Sequence, residues 1–294
     1  MNADWASRMR RVNGVTLHVI EAGPDEGPLL ILLHGFPEFW WGWRCQITHF
    51  AGQGYRVVVP DMRGYNLSDA PPGIGAYHLD RLVGDVIALA NVYGADRFDL
   101  VGHDWGGIVA WATAMQNPER LRRLVVMSAP HPDLFVRQTL LHPTQVMRSS
   151  YVALFQLPWL PEAILRAGGF AALRRVMRRS SRPGTFDEEA IRPYLEAWKR
   201  PGRLTSMLNY YRAIRGRSVR DRAEIIPPTL ILWGERDGFL GLHLARSALQ
   251  LCRDGRLRIV EGGTHWLHHE EAARVNAEIA AHVGFEPQRR TLHR

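Results

Sequence analysis

Hydrophobic positions along the 294-residue chain gather into short aliphatic blocks: Val15 to Ile20, Leu29 to Leu33, Arg56 to Val59, Phe98 to Val101, Leu124 to Met127, Thr229 to Leu232 and Leu257 to Val260. Several are continuous rather than alternating, the pattern of strands buried on both faces of a parallel sheet. Helix-period segments lie between them. The clearest places Leu79, Leu82, Val83, Val86, Ile87 and Ala90 on one stripe, at i, i+3, i+4, i+7, i+8 and i+11, which predicts an amphipathic helix. Strands alternating with such helices predict an α/β architecture whose mostly parallel central sheet is covered by helices on both faces.

The strand pattern stops after Ala129-Pro130-His131-Pro132 and resumes at Ile226-Pro227-Pro228 with TLILWGE. The segment between is Arg-rich and aromatic. Breaks at Leu157-Pro158-Trp159-Leu160-Pro161, Arg182-Pro183-Gly184 and Arg200-Pro201-Gly202 cut it into short helices. We read residues 131–225 as a helical cap, or lid, inserted into a core domain made of residues 1–130 and 226–294. No internal repeat or low-complexity segment interrupts this plan, and Glu286 to Arg294 read as a frayed polar tail.

A composition of 46% hydrophobic and 22% charged residues is that of a globular protein and excludes disorder. The opening MNADWASRMR lacks an apolar signal region, and the longest apolar runs are too short to span a bilayer. The expectation is a soluble, cytoplasmic protein with no membrane partner. Cys45 and Cys252 are too few for a disulfide framework or a cysteine metal site, so both read as packing residues.

The net charge of +8 raises the question of a nucleic-acid partner. Its distribution answers against one. Residues 131 to 224 hold 17 Lys and Arg against 8 Asp and Glu, so the excess belongs to the cap. Without zinc-finger spacing, an RNP-like motif or heptads, the segment reads as an Arg-rich solvated face able to steer anionic ligands, and no nucleic-acid partner is expected.

Candidate chemistry begins at Leu100 to Trp111, LVGHDWGGIVAW. A strand running through Gly-x-X-x-Gly into a helix is the context of a nucleophile elbow, and its centre, normally serine, is Asp104. An aspartate before a helix can also serve as an N-cap. Two further motifs, HGFPE (His34 to Glu38) and DMRGYNLSD (Asp61 to Asp69), follow predicted strands at the carboxyl edge where open α/β sheets bind ligands.

Taken together, HGFPE, DMRGYNLSD and GHDWGG resemble the α/β-hydrolase fold, and specifically its epoxide hydrolase branch, over about Val15 to Val283. The fold orders its partners as nucleophile, acid, histidine. Asp104, Asp237 in ERDGF and His265 in THW keep that order, each just past a predicted strand. Taken singly, Asp237 also suits a turn or helix cap, and His265 a surface histidine beside His268 and His269.

The resemblance implies a mechanism. A carboxylate, with a reference pKa near 4, needs no base to become a nucleophile. Asp104 would attack an sp³ carbon to form an alkyl ester, and His265, oriented by Asp237, would activate the water that hydrolyses it. The family's oxyanion hole maps onto the backbone N–H groups of Phe36 and Trp105, with a cis bond before Pro37. Its two cap tyrosines, donors to the leaving oxygen, map onto Tyr151 in SSYVALFQLP and Tyr211 in LNYYRA, with Tyr210 one register away.

Phe36, Trp105, Tyr151 and Tyr211 are therefore the expected substrate contacts, and Trp40, Trp41 and Trp43 are further candidates for an apolar pocket wall. The implied substrate is a small lipophilic epoxide. No metal or cofactor is implied, because no histidine or carboxylate cluster shows ligand spacing and no GxGxxG follows a strand. A homodimer is left open. The nearest rival is a dehalogenase with the same Asp nucleophile. Haloalkane dehalogenases carry a halide-binding asparagine where this chain has Phe36, and fluoroacetate dehalogenases show cap His and Trp residues where it reads SYVALFQ. A non-catalytic ligand-binding protein on this fold would lack a triad member.

Overall fold

A computed structural model of the chain describes residues 5–214 and 224–284. Strands β1 (Ala6–Val12), β2 (Val15–Ala22), β3 (Leu29–Leu33), β4 (Arg56–Pro60), β5 (Phe98–His103), β6 (Leu121–Met127), β7 (Thr229–Gly234) and β8 (Gly255–Val260) form one sheet in the order β1-β2-β4-β3-β5-β6-β7-β8. The β1–β2 and β2–β4 pairs are antiparallel, and every other pair is parallel. All residues of β3, β5 and β7 are buried, which is why those runs are mostly apolar, with Asp99, His103 and Thr229 as the buried polar exceptions.

β1 is absent from the hydrophobic pattern because it is an edge strand with most residues exposed or half-buried. Its Arg10 Nε donates to Glu21 Oε1 on β2 at 2.8 Å. Charge on an edge discourages pairing with another chain, and it also removes the apolar alternation by which a strand is recognised.

Helices cover both faces. On one, Ile47 and Phe50 from helix Arg44–Gly52 and Val275, Ile279 and Val283 from helix Ala272–Val283 pack with Leu30, Leu32, Val57 and Val101. On the other, helices Leu79–Val92, Trp105–Gln116 and Leu242–Leu249 bury Val86, Val109 and Leu244 with Ile31, Val58 and Leu100. The stripe on helix Leu79–Val92 is rotated from the expected one: Leu89 and Asp85 are buried while Leu79 and Ile87 are only partly so. Arg63 is the cause, since its Nε lies 2.6 Å from Asp85 Oδ2 and draws that carboxylate inward. Cys45 departs from expectation too. It is exposed, because Gln46, Ile47 and Phe50 occupy the inward positions of its helix, and Cys252 is half-buried.

Between β6 and β7 helices predominate in the described chain, forming an inserted cap of helices Pro132–Leu141, Pro143–Arg148, Tyr151–Phe155, Leu160–Ser180 (kinked at Ala167 to Phe170), Glu188–Lys199 and Arg203–Ala213, before Ile225 makes a single β-bridge to Cys252. The cap is tied to the loops that leave β3 and β4. Trp198 Nε1 donates to Pro37 O at 2.7 Å, Tyr194 Oη to Glu38 Oε1 at 3.0 Å, Tyr210 Oη to Arg63 O at 2.8 Å and Arg203 Nε to Asn66 O at 2.6 Å. Arg215, Arg217, Arg220 and Arg222 of the basic segment, and the tail Glu286 to Arg294, lie outside the described residues. Among the described residues no helix is long and apolar enough to cross a membrane.

Candidate active site

β5 ends at His103 and helix Trp105–Gln116 starts two residues later, so Asp104 alone makes the turn, with φ 51° and ψ −118°. A non-glycine residue held there costs about 1–3 kcal/mol, a strain that surrounding contacts must offset. The close approach needs two glycines. A Cβ on Gly102 would lie 2.3 Å from Gly106 O, and one on Gly106 would lie 2.2 Å from Leu33 O.

Asp104 makes no side-chain cap to its helix, so the N-cap role is not the one its carboxylate fills. Oδ1 instead accepts from the Phe36 backbone N–H at 2.8 Å, and Oδ2 lies 3.7 Å from His265 Nε2. Phe36 precedes Pro37 through a cis peptide bond. On its far side His265 Nδ1 lies 2.8 Å from Asp237 Oδ2, and Asp237 Oδ1 accepts from the Phe239 and Leu240 N–H groups at 2.8 and 2.9 Å.

Electrostatics follow from this order. Burial favours neutral Asp237, but the His265 charge and hydrogen bond and the two backbone donors outweigh it and hold the carboxyl below its usual range. Burial likewise opposes a charged His265. The carboxylates of Asp237 and Asp104, one on either side, overcome it and push the imidazole up to about 10.

The cap completes the site. The Tyr211 ring meets Trp105, Phe155 and Phe36 edge-on at centroid distances of 5.0, 5.1 and 5.4 Å. Tyr151 stands 5.9 Å from Tyr211, and Phe239 bridges from Tyr151 to His265. Burial, reinforced by the Asp104 charge, raises the pKa of Tyr151 and raises that of Tyr211 well above the usual tyrosine value; for Tyr211 the neighbouring Tyr151 adds to the effect. Both phenols stay protonated. Tyr210 differs, because its hydroxyl is committed to Arg63 O and its ring packs against Tyr65, Tyr77 and Trp105. Thus Asp104, His265, Phe36, Trp105, Tyr151 and Tyr211 lie in one connected set of contacts, with Asp237 behind His265.

Known proteins resemble the chain over most of its length. Residues 28–272 match the family model described as alpha/beta hydrolase fold. Over 273 residues the chain is 37% identical to human epoxide hydrolase 4, spanning 91% of this chain and 75% of that protein. The chain belongs to the epoxide hydrolase family of α/β-hydrolases. It is also 46% identical over 273 residues to the AB hydrolase superfamily protein YfhM of Bacillus subtilis, covering 92% of this chain and 95% of that one. The crystal structure of an epoxide hydrolase from Bacillus megaterium superposes with a TM-score of 0.86 at 28% identity, over 95% of this chain and all of that one.

This α/β-hydrolase is an enzyme whose site differs from the sequence reading in two places. Trp40, Trp41 and Trp43 do not join the aromatic wall that holds Tyr211. Trp40 packs on Trp5, Phe39 and Trp41, Trp41 lies under Arg44, and Trp43 is buried against His268.

The second difference is a buried polar cluster behind His265. Glu38 Oε1 lies 2.7 Å from His269 Nε2 and Oε2 lies 3.1 Å from His268 Nε2, so neither histidine is a surface neighbour of the hydrolase triad. Arg44 Nη1 donates to His269 Nδ1 at 3.1 Å, which leaves Nε2–H to donate to Glu38. Burial resists the Glu38 charge, yet His268 and His269 hold its carboxyl well below the usual range. His103 Nε2 donates to the His265 backbone oxygen at 2.9 Å, linking the cluster to the triad histidine. Glu38, His103 and His268 offer atoms within 4.8 Å of one another, a juxtaposition that no spacing along the chain reveals. Its members lie in or beside the motifs HGFPE, GHDWGG and THW, but nothing in those motifs joins them.

Proposed function

We propose that this hydrolase converts a lipophilic epoxide and water to a vicinal diol through a covalent ester on Asp104. The observation that carries the reading is the pairing of a charged carboxylate at the elbow with two buried, protonated cap phenols, Tyr151 and Tyr211, across one aromatic space. In this reading the cap, residues 131–225, supplies the proton donors. The core, residues 1–130 and 226–294, supplies the nucleophile and the pair that activates water.

An Asp104 oxygen attacks one epoxide carbon, the carbon–oxygen bond of the ring breaks, and the leaving alkoxide takes a proton from a cap tyrosine. The ester is neutral. Its formation removes one of the two charges that lift His265, so the imidazole pKa falls, its Nε2 proton passes to the tyrosinate, and the neutral Nε2 can then accept another. His265 then deprotonates a water that attacks the Asp104 carbonyl carbon. The Phe36 N–H, already aimed at Oδ1, and the Trp105 N–H, next in the chain, serve as donors to the developing oxyanion. The ester breaks, the second proton of the water passes to the leaving diol oxygen, and the diol departs with Asp104 ionised and His265 protonated as at rest.

Halide release by the same nucleophile has less support, since position 36 presents a phenyl ring to Tyr211 and no side-chain N–H for a halide. A single turnover of excess enzyme with an aryl epoxide in heavy-oxygen water tests the reading, with chloroalkane and fluoroacetate turnover run beside it. The expected result is label in the peptide containing Asp104 and an unlabelled first diol. Label in that first diol, or halide release with epoxides untouched, would overturn it.

A further inference from the structure

The cap carries an apolar face that catalysis does not use. On the consecutive helices Pro132–Leu141 and Pro143–Arg148, Val136, Leu140, Leu141 and Met147 are 59%, 72%, 61% and 77% exposed. Val136 and Leu140 are i, i+4 neighbours on one side of their helix. Leu134 is buried and Phe135 half-buried, so this helix is seated by one side and leaves apolar residues on the other. Contiguous apolar exposure of this kind marks an interaction surface.

Charge selects the occupant. The one acid on these two helices is Asp133, whose carboxylate oxygens are buried, and none follows it before Glu162, while Arg137 and Arg148 are exposed beside the apolar residues. Apolar side chains with arginine and without carboxylates are the composition of a helix that lies in a lipid interface. A second copy of the chain fits poorly: a two-fold contact would set the patch against itself, bringing arginines together while the carboxylate oxygens of Asp133, the one acid on these helices, are buried. The face also borders a cavity. Pro132, Phe135 and Val136 line a cavity of about 740 Å³ shared with Trp105 and Tyr210, and Trp105 follows the nucleophile.

We propose that this face docks on the surface of an anionic lipid bilayer, placing the cavity where lipophilic epoxides dissolve. The purpose rests on the epoxide reading, whereas the docking itself does not. The sequence-based expectation of no membrane partner is narrowed accordingly: the chain lies on the bilayer without crossing it.

The test is sedimentation of the full chain with phosphatidylcholine vesicles, with and without phosphatidylserine, in the absence of substrate. Binding to the anionic vesicles is expected, weakened by salt. Leu140→Asp with Met147→Asp should lower it on the order of tenfold or more, with unchanged circular dichroism, because charge is placed on the buried face of the contact. Arg137→Gln with Arg148→Gln, which keeps the apolar face, should lower binding to anionic vesicles alone. A native chain that stays in the supernatant with both lipids, or variants that bind as it does, overturns the proposal. So does a dimer in ultracentrifugation that Leu140→Asp dissociates while vesicles bind nothing, which would make the face an interface between copies. Failure to form diol in vesicle-free solution would sink the catalytic reading and leave the docking result standing.

Discussion

The backbone N–H of Phe36 donates to Asp104 Oδ1 at 2.8 Å, so the amide proposed to bind the oxyanion already holds the proposed nucleophile in the resting protein. Electrostatic stabilisation works best when donors need no rearrangement as charge develops, and this contact sets one donor in place before substrate arrives. It depends on a glycine beside it.

A Cβ on Gly35 would fall 2.4 Å from Asp104 Cβ and 2.7 Å from its Oδ1. Gly35→Ala must therefore displace the nucleophile. A misplacement near 1 Å costs about 100-fold in rate, so kcat/KM should fall by at least that much. Gly52→Ala, where nothing lies within 4 Å, should leave the rate unchanged. Steady-state kinetics on the pair check this.

The adjacent tyrosines should separate cleanly. Tyr151→Phe with Tyr211→Phe removes both proposed proton donors and should lower diol formation by about 100- to 10,000-fold, the usual range for losing general acid catalysis. Tyr210→Phe removes the bond to Arg63 O, at a cost of roughly 1 kcal/mol in stability, and should leave kcat within a few-fold of native. Diol assays and urea melts on the same samples distinguish the two effects.

His265 should report the charge of Asp104. With both carboxylates charged its pKa is lifted to about 10. Asp104→Asn replaces one charge by a neutral amide, so the imidazole should titrate at lower pH by NMR. Linkage gives a second readout. The stability due to a raised pKa is complete below the unfolded value near 6.5 and is lost as pH rises through the folded value. Between pH 6.5 and 10 the native chain should therefore lose more melting temperature than Asp104→Asn. Equal losses would mean that Asp104 does not act on His265.

Arg63 and Asp85 form a buried pair, with Nη2 2.5 Å and Nε 2.6 Å from the two carboxylate oxygens, and Asn13 Nδ2 adds a third donor at 2.9 Å. Removing one partner strands a buried charge. Asp85→Ala should cost about 3–5 kcal/mol in urea unfolding, and adding Arg63→Met should recover part of the loss, because the uncompensated cation is then gone.

Much of the fold was legible because burial on both faces forces continuous apolar runs, as in β3, β5 and β7. The charged edge strand β1 was hidden for the opposite reason. The positions of Asp104, Asp237 and His265 could be read because each sits in a loop beside a strand with its own local motif. The Glu38, His103, His268 and His269 cluster could not, since its members come from three distant parts of the chain.

The sequence by itself determined the strand and helix blocks, the inserted cap and the order of the candidate triad, since local periodicity and turn chemistry are written residue by residue. Tertiary structure alone decided which tyrosine faces Asp104. One step along a helix turns a side chain by about 100°, and only packing against Trp105 and Phe36 on one side, or Arg63 O on the other, tells Tyr211 from Tyr210. The same holds for the tryptophans after HGFPE and for His268 and His269, whose burial and partners arise from contacts across the fold that no spacing along the chain encodes.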